Sequence, residues 1–526
     1  MDCVRCFISL VAKKQHQACF FIGAFVPLNL IADPWIPVRR NGAPDIIRPD
    51  QIAEAGVECL NWPRPDLNLA CMEMLIGLLY LADPPADVTD WTTRRPDAER
   101  LRRRLAPFAA AFNITGDGPL FMQDFEELAG KPKPLDMLFI DSSGENTAKN
   151  NADLMVRRGR YPELSLPLAA MALYTLQAFA PSGGAGNRTS MRGGGPMVTL
   201  VMPKGDSATP LWSMLWANVP IIDPDEAWQP DEMAEVLPWM RPARTSEKKQ
   251  VTAPPDGALS PEIFFGMPRR LRLVFGDEGE MATGVIQRPY GADYQGWVHY
   301  LTPYYYDKER QKLPKHPKPG TFGYPNWRGI AFKTENADRA VCVRRFQQDF
   351  RAPAHVLVGG WAMDNMKPLD FIWSETPLFP LSEEAEVSAA HFVMAAEEAA
   401  ESLTACLKEC LTGADRYKGV VARVRETFFE QSQAGLEAAL AALANDGDAP
   451  TTAENWLRVL RITALDLFDR HALGQLLDGN MNKTEETVNA RRKLVWALRG
   501  QSVFGKKIFT LLGLPLPEKR KNKDAA

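Results

Sequence analysis

LPLAAMALYTLQAFAPSGGAGNRTSMRGGG occupies residues 166–195. Up to Ala180 it is apolar at nearly every position, which reads as a helix inside a core. Pro181 and the glycines behind it end that helix. The remainder is a flexible, basic loop: residues 180–195 hold six glycines and two arginines. The order of these two parts decides the reading. A phosphate-cradling glycine loop follows a strand and opens a helix, whereas this one follows a helix. Gly186 stands where the second glycine of GxxxxGK[ST] would be, but Pro181 stands five residues before it and Asn187 directly after. A GxGxxG fingerprint fails too, because Gly184 and Gly186 are followed by Asn187, Arg188 and Thr189. The nucleotide cradle falls.

Outward from that stretch, residues 28–380 read as mixed structure. NLIADPWIPVRR (29–40) predicts a strand with a proline-punctuated turn, and LNLACMEMLIGLLYLA (67–82) a strongly apolar helix. From RRLRLVF (269–275) to VRRFQQDF (343–350) the texture is short β-like runs, turn residues and aromatics. AHVLVGGWAMDNMKPLDFIWS (354–374) predicts a hairpin turning at Asp364–Asn365. Beyond about residue 382 the pattern becomes helical. Leu403, Cys406, Leu407, Cys410 and Leu411 recur at i, i+3, i+4, i+7 and i+8, and similar stretches cover 416–432, 433–446, 453–475 and 484–512. Helices with short connectors pack most simply as an up-down bundle. The expected fold is α+β: a leader at 1–27, a large mixed α/β domain at 28–380, an all-α four-helix bundle at 381–515, and a disordered basic tail at 516–526.

The chain of 526 residues is 45% apolar and 24% charged, enough for one sizeable core and a further domain. Its net charge of −4 does not point to nucleic acid, but totals hide local fields. Residues 149–195 carry Lys149, Arg157, Arg158, Arg160, Arg188 and Arg192 against only Asp153 and Glu163. A binding surface and an ordinary solvated face both fit that excess. The eight cysteines are scattered, which suits a reducing cytoplasm better than a disulfide framework. Cys3, Cys6, His16 and Cys19 have zinc-like spacing inside an apolar-basic leader. A zinc site, a secretion signal and an accessory or mis-started leader are all open there. No apolar run approaches the roughly 20 residues of a membrane span, so no membrane partner is expected.

Catalysis finds little footing. Of the six histidines, the last five (His299, His316, His355, His391 and His471) belong to no HExxH or paired CxxC arrangement. His355 and His391 lie on apolar elements and read as core residues. A Ser/His/Asp triad stays open because its members can be far apart in sequence, but no GxSxG elbow accompanies one. Glu397 and Glu398 sit on an alternating helix face and read as solvated. Glycine, however, lets backbone approach a ligand closely. The minor groove of duplex DNA is only about 6 Å wide, so a glycine-lined loop can enter it while nearby arginines meet the flanking phosphates. A plain helix–strand connector explains the glycines equally well on physics alone.

The order of motifs adds to this. NLIADPWIPVRRNG (29–42), GPLFMQDF (118–125), AFAPSGGAGNRTSMRGGGPMVTLV (178–201), HVLVGGWAMDN (355–365) and a helical C-terminus together resemble the large subunit of the type I-E CRISPR surveillance complex Cascade, the CasA type (Cse1). The resemblance covers about residues 28–515. It implies a non-catalytic subunit that reads the PAM (the short motif beside the target) and opens the duplex there, while guide RNA reads the sequence. By position, Gly183, Gly184, Ala185, Gly186, Asn187 and Arg188 match the loop that enters the PAM minor groove. Ala185 and Ser182 stand where the family pattern has glycine. Asp364, Asn365 and Met366 match a wedge that splays the first base pair, with Asn365 in the place of a glutamine. Leu154, Met155 and Val156, beside Arg157 and Arg158, match a loop that anchors the subunit at the 5′ end of the guide RNA. A family lysine contact to the PAM falls between about 275 and 320, with Arg288 and Lys308 as candidates. The resemblance implies no cofactor. A zinc knuckle found in some members is not expected, since no cysteine lies between Cys71 and Cys342. Implied partners are the small, backbone and guide-cap subunits, the crRNA, PAM-bearing double-stranded DNA and a Cas3-type helicase–nuclease. A hydrolase-type enzyme and a purely structural assembly subunit are the rival readings.

Overall fold

The computed structural model describes residues 28–517 apart from 143, 145–148, 151–156, 185, 206–207, 258, 351, 412–413 and 473–480. The leader at 1–27, with Cys3, Cys6, His16 and Cys19, and most of the basic tail lie outside the described residues.

Pro65 starts the helix around which the mixed part is built. Proline suits a first helical turn, where its missing N–H had no partner to lose. Helix α1 (Pro65–Ala82) is buried from Asp66 to Leu81, so it is covered on every side. It is long and apolar enough to cross a membrane by length and composition, but it lies in the core. Helix α2 (Leu166–Phe179) packs beside it and is buried from Ala169 onward. Tyr174 of α2 satisfies its buried hydroxyl on Phe264 O at 2.7 Å, inside an aromatic cluster with Phe121, Trp239 and Phe265. Both apolar stretches therefore form the core helices their composition predicts.

Small antiparallel sheets surround this pair. The first has the order β2 (Ala43–Ile47), β1 (Ile36–Arg40), β3 (Val57–Leu60), and Trp35 at its start donates from Nε1 to Leu30 O at 2.8 Å. A second has the order β4 (Leu164–Ser165), β7 (Met281–Arg288), β6 (Arg270–Phe275). A third has the order β10 (Ala337–Asp338), β8 (Tyr304–Tyr306), β9 (Lys312–Pro314). The fourth matters most: β12 (Lys367–Leu378), β11 (Ala354–Asp364), β5 (Val198–Pro203). Strand β5 pairs with β11 only from Ala354 to Gly359. The β11–β12 ribbon continues to Asp364, about 17 Å farther at strand rise. Its central turn residues are Asn365 and Met366, one position later than the sequence pattern predicts. Residues 341–349 also differ from expectation: they form helix α3 (Val341–Asp349), because Cys342, Val343 and Phe346 share one buried face.

The C-terminal part is helical: α4 (Glu383–Cys410), α5 (Ala414–Ala444), α6 (Ala449–Ala472), α7 (Met481–Leu498) and a short α8 (Val503–Leu511). Ser382 caps α4 by accepting from Ala385 N, with Glu383, Glu384 and Glu386 in its first turn. The stretches 416–432 and 433–446 are one continuous helix. Gly435 inside it is a packing residue, since a Cβ there would lie 2.7 Å from Val459 Cγ1 of α6. Conversely 484–512 is two helices, broken where Gly500 takes φ +81°. The helical part is seated on the mixed part through Tyr324, whose hydroxyl meets Ser432 Oγ at 2.9 Å, and through Arg328 on both oxygens of Glu397 at 2.8 Å.

Candidate nucleic-acid interface

The glycine segment is an excursion with a pinned base. Helix α2 ends with unpaired carbonyls, as every helix does. Here the returning chain satisfies them: Ser190 N–H donates to Ala180 O at 3.0 Å and Gly195 N–H to Phe179 O at 3.2 Å. Between those points the loop closes on itself, Asn187 N–H donating to Gly184 O at 2.7 Å and Gly183 N–H to Asn187 O at 3.1 Å. Gly184 and Gly186 take φ +66° and +80°, a region that L side chains avoid. Gly183 and Gly184 are exposed; Gly186, Asn187 and Arg188 are half-buried; Ala185 lies outside the described residues. A Cβ on Gly184 would meet nothing within 4 Å, whereas one on Gly186 would lie 2.9 Å from Tyr290 Cδ1. The foremost glycine therefore owes nothing to internal packing.

The hairpin tip meets this segment across a wide gap in sequence. Asp364, Asn365 and Met366 are exposed, and Asn365 and Met366 take φ +48° and +62°. Positive φ at both central residues is the two-residue turn whose twist matches paired strands, normally an Asn-Gly preference. Methionine in the glycine position is strained. At the other end of the glycine segment, a Cβ on Gly194 would lie 2.8 Å from Met366 Sδ and 2.9 Å from Pro181 Cα. Tip and loop thus share one surface, and the absence of a side chain at Gly194 lets them touch.

Arg192 belongs to the core and does not face solvent. It is 2% exposed and grips Glu73 of α1 with Nη2 at 2.6 Å from Oε1 and Nη1 at 3.1 Å from Oε2. Nη2 also donates to Ala178 O at 3.3 Å, which caps α2 further. His299 completes the group. Its Nδ1 faces Leu301 N at 3.2 Å and Arg192 Nη1 at 3.3 Å, both donors, so the ring proton sits on Nε2, 3.4 Å from Glu73 Oε1. Burial and the Arg192 charge push His299 down to about 4, against the pull of Glu73. Burial raises Glu73, but Arg192 and His299 outweigh it and hold the carboxyl below its usual range. The basic excess at 149–195 shrinks accordingly. Arg160 is forked on Asp141 at 2.8 and 2.9 Å, and Arg188 reaches Asp293 at 3.4 Å.

Leu154, Met155 and Val156 lie outside the described residues. Arg157 and Arg158 are exposed and lead toward the N-terminal end of α2, about 21 Å along that helix from the glycine loop. Of the lysine-contact candidates, Arg288 is exposed two residues before Tyr290, whose N–H donates to Gly186 O at 2.9 Å. Lys308 is exposed in the turn between β8 and β9. Sequence reading missed Arg269, which is buried under the loop and donates to Arg188 O at 2.6 Å and to Pro181 O. It also missed residues 244–249, whose EKK run was the available signal. Among the described residues no group of three or more His, Cys, Asp or Glu is placed to hold a metal ion.

A mixed α/β body with small sheets, followed by a helical C-terminus, is an architecture already seen in solved structures. Thermus thermophilus CasA (Cse1) superposes with a TM-score of 0.67 at 18% identity, covering 89% of this chain and 99% of that one. Cse1 from Acidimicrobium ferrooxidans gives 0.68 at 18%, covering 93% and 99%. A chain of a CRISPR RNA-guided surveillance complex gives 0.61 at 13%, covering 89% and 99%. At such identities the likeness speaks for the fold. The sequence profile of the CRISPR-associated protein Cse1 family matches residues 29–467, and the chain belongs to that family.

Proposed function

We propose that this protein is the non-catalytic subunit of an RNA-guided surveillance complex that recognises the PAM in double-stranded DNA and starts opening the duplex. Residues 183–188 enter the minor groove as bare backbone. Asp364, Asn365 and Met366 press into the adjoining base step, and the hybrid with the guide RNA grows from there. Unstacking a step costs on the order of a few kcal/mol, so the tip needs a stiff support; the β11–β12 ribbon and its seat on Gly194 supply one. The single observation that carries the reading is that contact: two segments about 170 residues apart meet at Met366 and Gly194. A cleft of about 1960 Å³ is lined by Met363, by Lys318, Lys333 and Arg344 together with Glu335 and Asp338, and by the first turns of the helical part. It offers a path for the displaced strand. Arg157 and Arg158 border the segment that anchors the subunit near the guide RNA. A Cas3-type helicase–nuclease then docks on the opened complex.

The test is binding of a guide-matched duplex by the assembled complex over a randomised PAM library. Variants Gly184→Asn and Asn365→Ala should assemble as wild type does and lose PAM-dependent binding. Unchanged PAM selectivity in both would leave only the structural assembly reading.

A further inference from the structure

The glycine loop has a basic neighbour. Residues 244–249, RTSEKK, fold against its base. Ser246 N–H donates to Tyr290 O and Gly291 O at 3.2 Å, and Ser246 Oγ receives Arg188 Nε at 2.9 Å. Tyr290 joins the same base through its N–H bond to Gly186 O. Arg244, Lys248, Lys249 and Arg288 are all exposed, and none of these four side chains has a hydrogen-bond or ion-pair partner among the described residues. Of the nearby carboxylates, Asp293 is engaged by Arg188, which leaves Glu247 as the acid within the run. Lys248 and Lys249 take φ +57° and +62°, and Tyr290 takes +62°. Non-glycine residues avoid that region, and such strain gathers where a surface has work to do. Here it holds two consecutive lysines in solvent beside a loop of bare backbone.

We propose that Lys248 and Lys249, flanked by Arg244 and Arg288, clamp the phosphate backbone of duplex DNA alongside the glycine loop. This rests on the groove-entry reading of that loop. Lys248 and Lys249 follow Ser246 by two and three residues, at most about 7 and 11 Å of chain, so both start close to the loop's base. A groove only about 6 Å wide is walled by phosphates, and a loop inside it brings those phosphates near the lysine ends. Lysine is a mobile point charge and needs no fixed geometry to hold a phosphate. Phosphate contacts carry no sequence information. The clamp therefore adds affinity evenly, while the glycine loop discriminates.

The experiment uses Lys248→Gln/Lys249→Gln in the full chain, assembled with guide RNA and partner subunits, and a guide-matched DNA duplex between about 50 and 200 mM salt. Each phosphate contact contributes about 0.9 to the slope of log affinity against log salt, so the slope should flatten by about 1.8. Across that range the wild type should lose about 12-fold more affinity than the variant. The flattening should be equal on favoured and unfavoured PAM sequences, and Lys248→Arg/Lys249→Arg should restore the wild-type slope. An unchanged slope overturns the clamp, as does a loss confined to one PAM sequence. Gly184→Asn in the same assay keeps the two ideas apart. If it leaves PAM discrimination intact while the lysine variant still flattens the slope, groove entry fails and only the phosphate contact of Lys248 and Lys249 stands. If it abolishes discrimination while the lysine variant changes nothing, the clamp alone fails.

Discussion

Replacing Arg192 by methionine tests whether the base of the glycine loop is locked to the core by charge. The variant leaves Glu73 buried without its fork and removes a donor from Ala178 O. Removing one member of a buried ion pair costs about 3–5 kcal/mol, because the other charge stays uncompensated. Unfolding entropy is about 2.1 cal/mol/K per residue, so a unit of about 350 residues resists with about 0.74 kcal/mol/K. The expected fall in Tm is about 4–7 °C. It should depend on pH. Wild-type His299, held down to about 4 by burial and Arg192, is neutral in the fold and gains a proton on unfolding, so this group favours the fold as pH rises. In the variant, burial without Arg192 raises the folded Glu73 carboxyl, and the cationic neighbour that disfavoured a proton on His299 is gone. A group raised in the fold stabilises below its unfolded pKa and loses that contribution as pH rises. The deficit should therefore be larger near pH 8 than near pH 5. Scanning calorimetry of the full chain at both values measures it. The double variant Glu73→Met/Arg192→Met should recover most of the loss, since an apolar pair of similar size replaces a buried ion pair at little cost. A fall below about 1 °C, a deficit independent of pH, or a double variant as unstable as the single would refute the lock.

Other perturbations separate fold from interface. At Gly184 an added Cβ meets no protein atom within 4 Å, and asparagine tolerates the φ there, so Gly184→Asn should hold Tm. Duplex binding should fall about 5- to 150-fold, the equivalent of about 1–3 kcal/mol for forcing extra atoms into a filled space. Gly186→Ala meets Tyr290 at φ +80° and should cost about 1–2 kcal/mol of stability with no DNA present, read by hydrogen exchange at Tyr290. Met366→Gly relieves left-handed strain of about 1 kcal/mol and should slow exchange in the β11–β12 ribbon. The same variant should weaken duplex opening, followed with a fluorescent base beside the PAM. Arg157→Glu should reduce co-purification with guide RNA while Tm stays put; equal recovery would remove this residue from the anchoring role.

Much of the fold is legible locally. Residues 67–82 and 166–180 are apolar all round, and only a covered helix accommodates that. The two apolar runs and the turn residues of 354–374 allow little but a hairpin, and the 3.6-residue repeats after 382 little but helices. Local pattern misleads where a distant neighbour overrides it. Around Gly435 it suggests a break between two helices, yet that glycine admits Val459 and Trp456 of α6. Residues 341–349 lie in a region of β-like texture, yet Cys342, Val343 and Phe346 find one buried face.

The site divides the same way. Sequence alone determined that 183–186 is nearly bare backbone, that 364–366 ends a ribbon, and that the order of motifs is that of the Cse1 family, because each is a matter of residue type and spacing. Tertiary structure decided which charges are available and what meets what. Arg192 and Arg188 look alike in the string, but one is buried on Glu73 and the other rides a loop beside Ser246. Met366 and Gly194 touch, and the run holding Lys248 and Lys249 joins the base of the glycine loop, through contacts that close long loops. A charge or a glycine carries no local mark of its distant partner, so those pairings exist only once the chain is folded.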